Sequence, residues 1–579
     1  MSSPQDIEAP AVDEKKIAIV SDQDQSDTTS ERNGETDLGE IYIFLSLKTG
    51  YIAGRKTSDA NNSNTVAVEG QYTKEEYHKL KRKVDKYLLP LMWICYGIQQ
   101  TDKTALGTQA IFGLRQDTGL KGQEYSWLTT IFYITYMCFE FPSNIVLQRY
   151  KMGRTLSVYM ICWGIIVLCI GFAQNFTHLI VLRALQGAFE CCISPGFMLL
   201  VGTWYKTREH ASRSLVFQSA NAGFGVIASL IMYAIGASTQ HKEGAQPWRY
   251  ISFFLGSLTT AIGCLCLFLL GTPSEVRWLT QAEKDMASAR IISNNTGHDR
   301  TAIKGWKWKQ VGECCRDPIF WFAGVNAFLS SVPNGGLTTF GSIIMTSFGF
   351  NNLQTILIDI PRSVMSVIIF ICVGLLTSKK ANLRLWIMAT SVLPPFAGFL
   401  GMSLLPNDPA IKWTKWGCYF ITVPFVLGLF LAWTLIPSNI AGRTKRTMTS
   451  SFTFVGYCVG NMVGSQIFKA QDAPKYTPGT IGCAICFGIQ FALILTWRFV
   501  LVRRNKQRDA AMAVDGLTVE ERAKRGKELG EQDYTDFENP YVSAPGLICC
   551  SLFANIEPAV PLHTLECLRV EYSPVSFRS

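Results

Sequence analysis

The chain is short of charge. Asp, Glu, Lys and Arg together make up 17 % of its 579 residues, where a soluble globular protein carries about 25 %. So little polar surface cannot wrap the three or four soluble domains that length alone would suggest. Histidine is scarcer still, with six in the whole chain. No His-rich cluster, nucleophile elbow or phosphate-cradling glycine loop stands in the sequence, which sets enzyme chemistry aside. No cofactor and no metal are expected. The 18 cysteines do not form a secreted disulfide framework. Most lie in apolar segments, Cys95, Cys138 and Cys162 among them, where a thiol acts as a small hydrophobe. Cys483 and Cys486 have CxxC spacing but sit in an apolar run without further ligands. A signal peptide is missing too: the apolar patch at 41–47 is too short and has no cleavage context.

What the chain has instead is apolar sequence. Hydrophobic residues make up 48 % and aromatics 12 %, and they come in runs of about 20, the length a helix needs to cross a bilayer. Twelve spans are predicted, the first six at 87–108, 125–147, 154–173, 177–201, 211–238 and 248–271. The second six fall at 317–347, 353–377, 383–404, 415–437, 447–469 and 479–502. The expected fold is an all-α membrane protein, twelve transmembrane helices in two pseudo-symmetric six-helix bundles. Residues 1–85 read as a disordered cytosolic arm, 86–271 as the N-terminal bundle, 272–316 as a cytosolic central loop, 317–502 as the C-terminal bundle and 503–579 as a cytosolic tail.

The net charge of +10 would suit a nucleic-acid partner, but the basic residues sit beside the apolar runs, and no nucleic acid is expected. With both termini cytosolic, the short inner loops hold twelve Lys and Arg against eight in the outer loops, as the positive-inside rule requires. The central loop and Arg503, Arg504, Lys506 and Arg508 after the last span add to the inner side. The sequon Asn175-Phe176-Thr177 then falls in an outer loop too tight and too near the bilayer for glycosylation. The tryptophans Trp127, Trp204, Trp248, Trp278, Trp321, Trp413 and Trp416 lie near predicted interfaces and read mostly as belt anchors.

A charge near the bilayer centre costs about 2.5–3.5 kcal/mol on insertion scales, so those that persist need partners or a watery cavity. The candidates are Asp102 and Lys103 in span 1, Glu140 in span 2, Arg183 and Glu190 in span 4, and Asp359 and Arg362 in span 8. From the helical rise, Asp102 lies about 7 Å and Arg183 about 9 Å to the outer side of its own span's midpoint. The two therefore share a level and are expected to pair or to share a cavity. Arg183, Lys103 and Arg362 suit an anionic substrate; Asp102, Glu190 and Asp359 suit proton transfer, with Asp359 also placed to orient Arg362. Structural ion pairing between helices is the plainer reading of the same residues. Glu140, near the inner end of span 2, reads as a gate or an inner-loop brace. Pro333-Asn334-Gly335-Gly336 is expected to interrupt span 7 and to present Asn334 to a cavity shared with Asn461 and Gln466 of span 11. Gly456, Gly460 and Gly464 are expected to serve close helix packing.

Several strings carry a resemblance. The loop LQRYKMGRTLS at 147–157 resembles the inner-loop signature of the major facilitator superfamily at Gly153 and Arg154, without the acidic residue that usually precedes the first arginine, Arg149. That brace is then rewired or supplied by Glu140. RALQGAFE at 183–190 is similar to the superfamily's Arg-x-x-Gln-Gly segment. DKTALG at 102–107, FEFPSN at 139–144, VPNGGLTTF at 332–340 and GYCVGNMVGSQIF at 456–468 resemble the fungal anion:cation symporter branch, the allantoate-permease type. This resemblance implies proton-driven uptake of a small organic anion across the plasma membrane by alternating access, in a monomer with a gating loop at Arg149, Gly153 and Arg154. Allantoate, another ureide and a vitamin carboxylate all remain open as substrates. An efflux carrier of the same fold and a non-transporting nutrient sensor are the alternatives. TDFENPYV at 535–542 looks like the family's closing segment, and 544–579 departs from it as a retained intron or shifted frame would.

Overall fold

The computed structural model describes residues 72–205, 213, 216, 219–239, 242, 244–292, 307–379, 383–406, 408–514, 518–539 and 541. The polar arm before residue 72, the patch at 41–47 and the segment 544–579 lie outside the described residues. Among those described, all regular structure is helical, and the helices make up twelve spans. In the first half these are Lys74–Ile111, Glu124–Arg149, Met152–Ile170, the pair Phe176–Glu190 and Ile193–Trp204, Ala220–Thr239 and Pro247–Leu269. In the second half they are Pro318–Ser347, Asn352–Lys379, the pair Arg384–Ser391 and Leu393–Leu404, Lys412–Phe420 continued by Val426–Asn439, Arg443–Gln466 and Thr477–Val514. They are called spans 1 to 12 below.

Span 1 starts well before the predicted position, so part of the segment read as a disordered arm is helix. The start is set locally: Thr73 and Glu76 form a capping box, the Thr73 hydroxyl accepting the Glu76 N–H and the Glu76 carboxylate accepting the Thr73 N–H. Asn175 of the sequon caps span 4, its side-chain oxygen accepting the His178 N–H at 2.9 Å. Span 12 runs twelve residues past its predicted end as a polar extension. Two helices lie in the central segment, Gln281–Ile292 and Trp308–Arg316, and a tail helix spans Val519–Glu531.

Seven spans are apolar and long enough to cross a membrane by length and composition alone. Span 5 is apolar but shorter, and spans 1, 2, 7 and 11 are not among them either. Those four meet across the molecule, span 1 on span 7 and span 2 on span 11, while span 5 meets span 8. Helices that face each other rather than lipid can carry polar groups, which explains why the less apolar spans are the central ones. Within the halves, span 1 packs on span 5 as span 7 packs on span 11, and span 3 packs on span 6 as span 9 packs on span 12. The repeated pairing is that of two pseudo-symmetric six-helix bundles.

Two expectations fail here. Span 7 is not interrupted: one helix runs through Pro333 from Pro318 to Ser347. The glycines after the proline serve contact instead of a break, since a Cβ on Gly335 would collide with the Asn461 backbone and one on Gly336 with the Phe468 ring. Gly456, Gly460 and Gly464 face the carbonyls of Gly324, Phe328 and Val332 in register. Trp204 and Trp248 are not belt anchors but core residues, 2 % and 0 % exposed. Burial is tolerable because each indole N–H is satisfied, Trp204 by the Gly271 carbonyl at 2.8 Å and Trp248 by Asp117 at 2.6 Å. Trp127, Trp321 and Trp413 are exposed, as belt residues would be.

Candidate substrate and proton site

Asp102 and Lys103 are neighbours in sequence, and the rotation of about 100° per helical residue sends them to different partners. Asp102 is buried and accepts the Trp163 indole N–H at 2.8 Å and a short hydrogen bond from the Gln186 amide. Arg183 donates to the Gln186 oxygen at 3.0 Å. The expected level match of Asp102 and Arg183 is thus realised through a bridge: Gln186 gives its N–H to the acid and its oxygen to the guanidinium. Trp163, on span 3, had no signal in the sequence beyond its type. Gln186 was visible only as part of the RALQGAFE string.

Lys103 turns to Glu190, Nζ to Oε1 3.3 Å, with side-chain exposures of 13 % and 0 %. Its ammonium also lies 5.1 Å from the centre of the Tyr136 ring. A residue read as an anion ligand and one read as a proton carrier therefore neutralise each other in this structure. Around them, Phe132, Tyr133 and Tyr136 of span 2 meet Phe454 and Tyr457 of span 11, with ring centres 6.0 Å apart for Tyr133–Tyr457 and 5.9 Å for Tyr136–Phe454.

In the second bundle Arg362 donates to Asp359 at 2.9 Å and stacks 3.9 Å from the centre of the Tyr419 ring. Asn334 donates to the Asn461 oxygen at 2.8 Å, and Asn461 donates to the Tyr457 carbonyl. Gln466 is brought elsewhere: its amide donates to the Thr130 hydroxyl at 2.8 Å, and its carbonyl accepts from Gln123. These belong to a set of hydrogen bonds joining the bundles, with Tyr125 to the Thr339 carbonyl at 2.8 Å, Thr129 to the Thr339 hydroxyl at 3.0 Å, Thr130 to Ser465 at 3.2 Å and Asn352 to the Ile111 carbonyl at 2.7 Å. All lie at the starts of spans 2 and 8 or toward the ends of spans 1, 7 and 11, hence on the side of the molecule opposite the start of span 1 and the end of span 12.

Several polar atoms in this region are buried and have neither a hydrogen bond nor an ion pair: Arg183 Nε, Arg362 Nε, Glu190 Oε2 and Glu140 Oε2. An unpaired buried group costs about 1–3 kcal/mol, so each is a point where a ligand group or proton would be welcome. One of the two guanidiniums comes from each bundle.

At the loop between spans 2 and 3, Arg149 and Arg154 are exposed and Gly153 is buried. The acid that serves this loop is not Glu140 but Glu275, just after span 6. Its two oxygens accept the N–H groups of Met152 and Gly153 at 3.0 and 2.9 Å, where the first turn of span 3 has no acceptors of its own. Gly153 is required because a Cβ there would strike the Leu270 carbonyl and Gly271. Glu140 lies more than two helical turns before the end of span 2, out of this contact. Cys483 and Cys486 are free thiols.

The family model described as Major Facilitator Superfamily matches residues 92–465. An uncharacterized transporter of Schizosaccharomyces pombe is 31 % identical over 79 % of this chain and 86 % of its own. The allantoate permease of Saccharomyces cerevisiae is 29 % identical over 92 % of this chain and 97 % of its own, and the thiamine pathway transporter THI73 of the same yeast is 27 % identical over 84 % and 90 %. The crystal structure of a bacterial homolog of the human lysosomal transporter Spinster, inward-facing and occupied, superposes with a TM-score of 0.54 at 14 % identity, covering 71 % of this chain and 96 % of that one, which is a likeness of fold. Model match, relatives and twelve-span architecture agree: the chain belongs to the major facilitator superfamily and is a membrane transporter of the allantoate-permease type, not an enzyme.

Proposed function

We propose that the protein carries a small organic anion into the cell across the plasma membrane together with protons, by alternating access, with both termini in the cytosol. The observation that carries this reading is the pair of unsatisfied guanidinium N–H groups, Arg183 Nε in the first bundle and Arg362 Nε in the second. Each is a donor that a substrate carboxylate would satisfy, one on each bundle, so an anion held between the bundles would tie its binding to their relative position. Glu190 and Asp102 supply the protons. While Glu190 is ionised it neutralises Lys103; once protonated it frees Lys103 to hold the anion, so proton and substrate bind together. Asp102 reports to Arg183 through Gln186 in the same way. Asp359 and Tyr419 hold Arg362 in place, and Asn334 with Asn461 offers amides from spans 7 and 11.

In the conformation described here the hydrogen bonds that join the bundles lie on the side away from the termini, so with cytosolic termini the outer side is shut. Glu140 and the loop carrying Arg149, Gly153 and Arg154 are on the inner side, where the complementary closure would form. The name of the yeast relative, allantoate permease, supports a ureide carboxylate among the small organic anions. The test is uptake of labelled allantoate, nicotinate, pantothenate and a dipeptide, with thiamine as the cationic control, in a transport-deficient yeast at pH 5 and 7.5. One saturable anion, taken up faster at pH 5 and lost in Arg183→Ala, is expected. Saturable uptake of thiamine alone, or uptake indifferent to pH, would overturn the reading.

A further inference from the structure

Among the described residues, a fully buried charge cluster lies outside the transport site, on the side where span 1 starts and span 12 ends. Lys445, at the start of span 11, has a fully buried side chain held between Asp317 Oδ2 and Asp536 Oδ1, each at 2.8 Å. Asp317 begins span 7, capping it through the Ile319 N–H, and also takes Arg504 of span 12 at 2.9 Å. Asp536 belongs to the tail, and its backbone carbonyl accepts from Arg508 at 2.9 Å. The next residue, Phe537, lies with its ring 3.8 Å from Lys445 Nζ and 5.2 Å from the Arg504 guanidinium. A lysine is almost never fully buried unless paired, and this one is paired to the tail.

Around that centre the tail makes further contacts, among them the amide of buried Gln310 donating to the Asp533 carbonyl at 2.9 Å. Asp533 takes Lys307 at 2.9 Å and the Arg443 N–H at 2.6 Å, and Glu538 takes Lys309 at 2.7 Å. Asn539 donates to the Gly526 carbonyl, which ties this stretch to the tail helix rather than to the bundle. Lys307, Lys309 and Phe537 all reach solvent. Asp536 is thus a single buried carboxylate inserted among Lys445, Arg504 and Arg508. Without it three cations would face Asp317 alone.

We propose that residues 533–539 form a releasable strap, with Asp536 as its key, that locks together the start of spans 7 and 11 and the end of span 12. Spans 7 and 11 are the same two rods whose far ends bond the first bundle through Thr339, Ser465 and Gln466. Seating the strap fixes one end of the pair while the gate contacts act on the other, and releasing it bares a cationic socket whose members repel. The tail is therefore a control point on the second bundle, independent of which substrate the central site takes.

The test uses the full-length protein in detergent micelles with a specific protease site placed at 515–517 and cut after purification. The fragment beginning at 518 is expected to stay with the body on size exclusion. Asp536→Asn is expected to raise its release rate by roughly a hundredfold, the scale for losing one partner of a buried charge pair. A fragment that leaves at once with Asp536 intact, or stays equally well in Asp536→Asn, would overturn the proposal. Should that variant not fold, Phe537→Ala in the uncut chain replaces it, read by maleimide labelling of Cys314 and mass spectrometry. Cys314 is buried against the Lys445 carbonyl and Cys315 beside it is exposed. Faster labelling of Cys314 at an unchanged Cys315 rate is expected, and unchanged Cys314 labelling would count against the strap.

Discussion

Replacing Gly464 by alanine should destabilise the second bundle, although alanine is the better helix former. Gly456, Gly460 and Gly464 lie one turn apart on span 11 and meet the carbonyls of Gly324, Phe328 and Val332, one turn apart on span 7. A methyl group at 464 would land on the Val332 carbonyl and 3.0 Å from the Gly336 nitrogen. Both obstacles are backbone, so neither can rotate away, and the helices must separate by about 1 Å. A gap of that size forfeits roughly a quarter to a half of each contact's attraction, and overpacking of this kind costs about 1–3 kcal/mol. The gain in helix propensity returns at most about 1 kcal/mol. The net expectation is a loss of about 1–2 kcal/mol. Gly374 on span 8 is the control, because nothing lies within 4 Å of an added Cβ there, and Gly374→Ala should be neutral or slightly stabilising. Thermal midpoints of the detergent-purified proteins, taken at one scan rate because such unfolding is commonly irreversible, should fall for Gly464→Ala and hold or rise for Gly374→Ala. Equal midpoints, or a higher one for Gly464→Ala, would refute the packing argument.

Thr130 and Ser465 have hydroxyls 3.2 Å apart across the bundles; the double cysteine variant should crosslink on oxidation and stop uptake until reduced, and a crosslinked protein transporting at full rate would show that this contact need not open. Glu275→Ala removes the acceptor of two N–H groups at the start of span 3 and should cost about 1–2 kcal/mol, seen as a lower thermal midpoint; Glu275→Gln should recover part of it, and no change in either would deny the clasp. The hydrogen bond from Lys309 holds the Glu538 carboxyl below its ordinary value, so its contribution is present at neutral pH and is lost as pH falls through that lowered value. In the cut protein, tail release should quicken modestly on acidification below the ordinary carboxylate range, with Glu538→Gln modestly faster already at pH 7; a Glu538→Gln fragment released no faster than the unaltered one at pH 7 would remove that arm.

The span count was legible because a bilayer enforces apolar runs of fixed length, and the bundle pairing followed from six spans, a long polar loop and six more. The early start of span 1 was missed: the polar composition of 1–85 argued for an arm, and the Thr73–Glu76 capping box was recognised only in the structure. Pro333 misled because a helix packed on both sides tolerates a proline, and the flanking glycines were there for contact with span 11. At the site, the charged residues stood out by their cost in a membrane, whereas their pairing did not. Which way Asp102 and Lys103 point depends on the rotation of span 1 against spans 3 and 4, and no local pattern encodes that register. Trp163 escaped notice, and Gln186 stood out only as part of a string and not as a partner of Asp102, for the same reason: an indole and an amide are unremarkable until the acid they hold is seen between them. The Lys445 cluster escaped because its members come from four segments between residues 317 and 536.

The most direct test of anion–proton coupling is substrate-driven acidification of proteoliposomes. The purified protein is reconstituted with a pH dye inside, and allantoate, or whichever anion the uptake panel identifies, is added outside at pH 5.5 and 7. The unaltered protein is expected to acidify the lumen when the anion is added, and Glu190→Gln and Asp102→Asn, verified as folded, to exchange labelled anion across the membrane without moving protons. Proton entry that persists in both variants, or concentrative uptake by the unaltered protein with no proton movement at all, would contradict it.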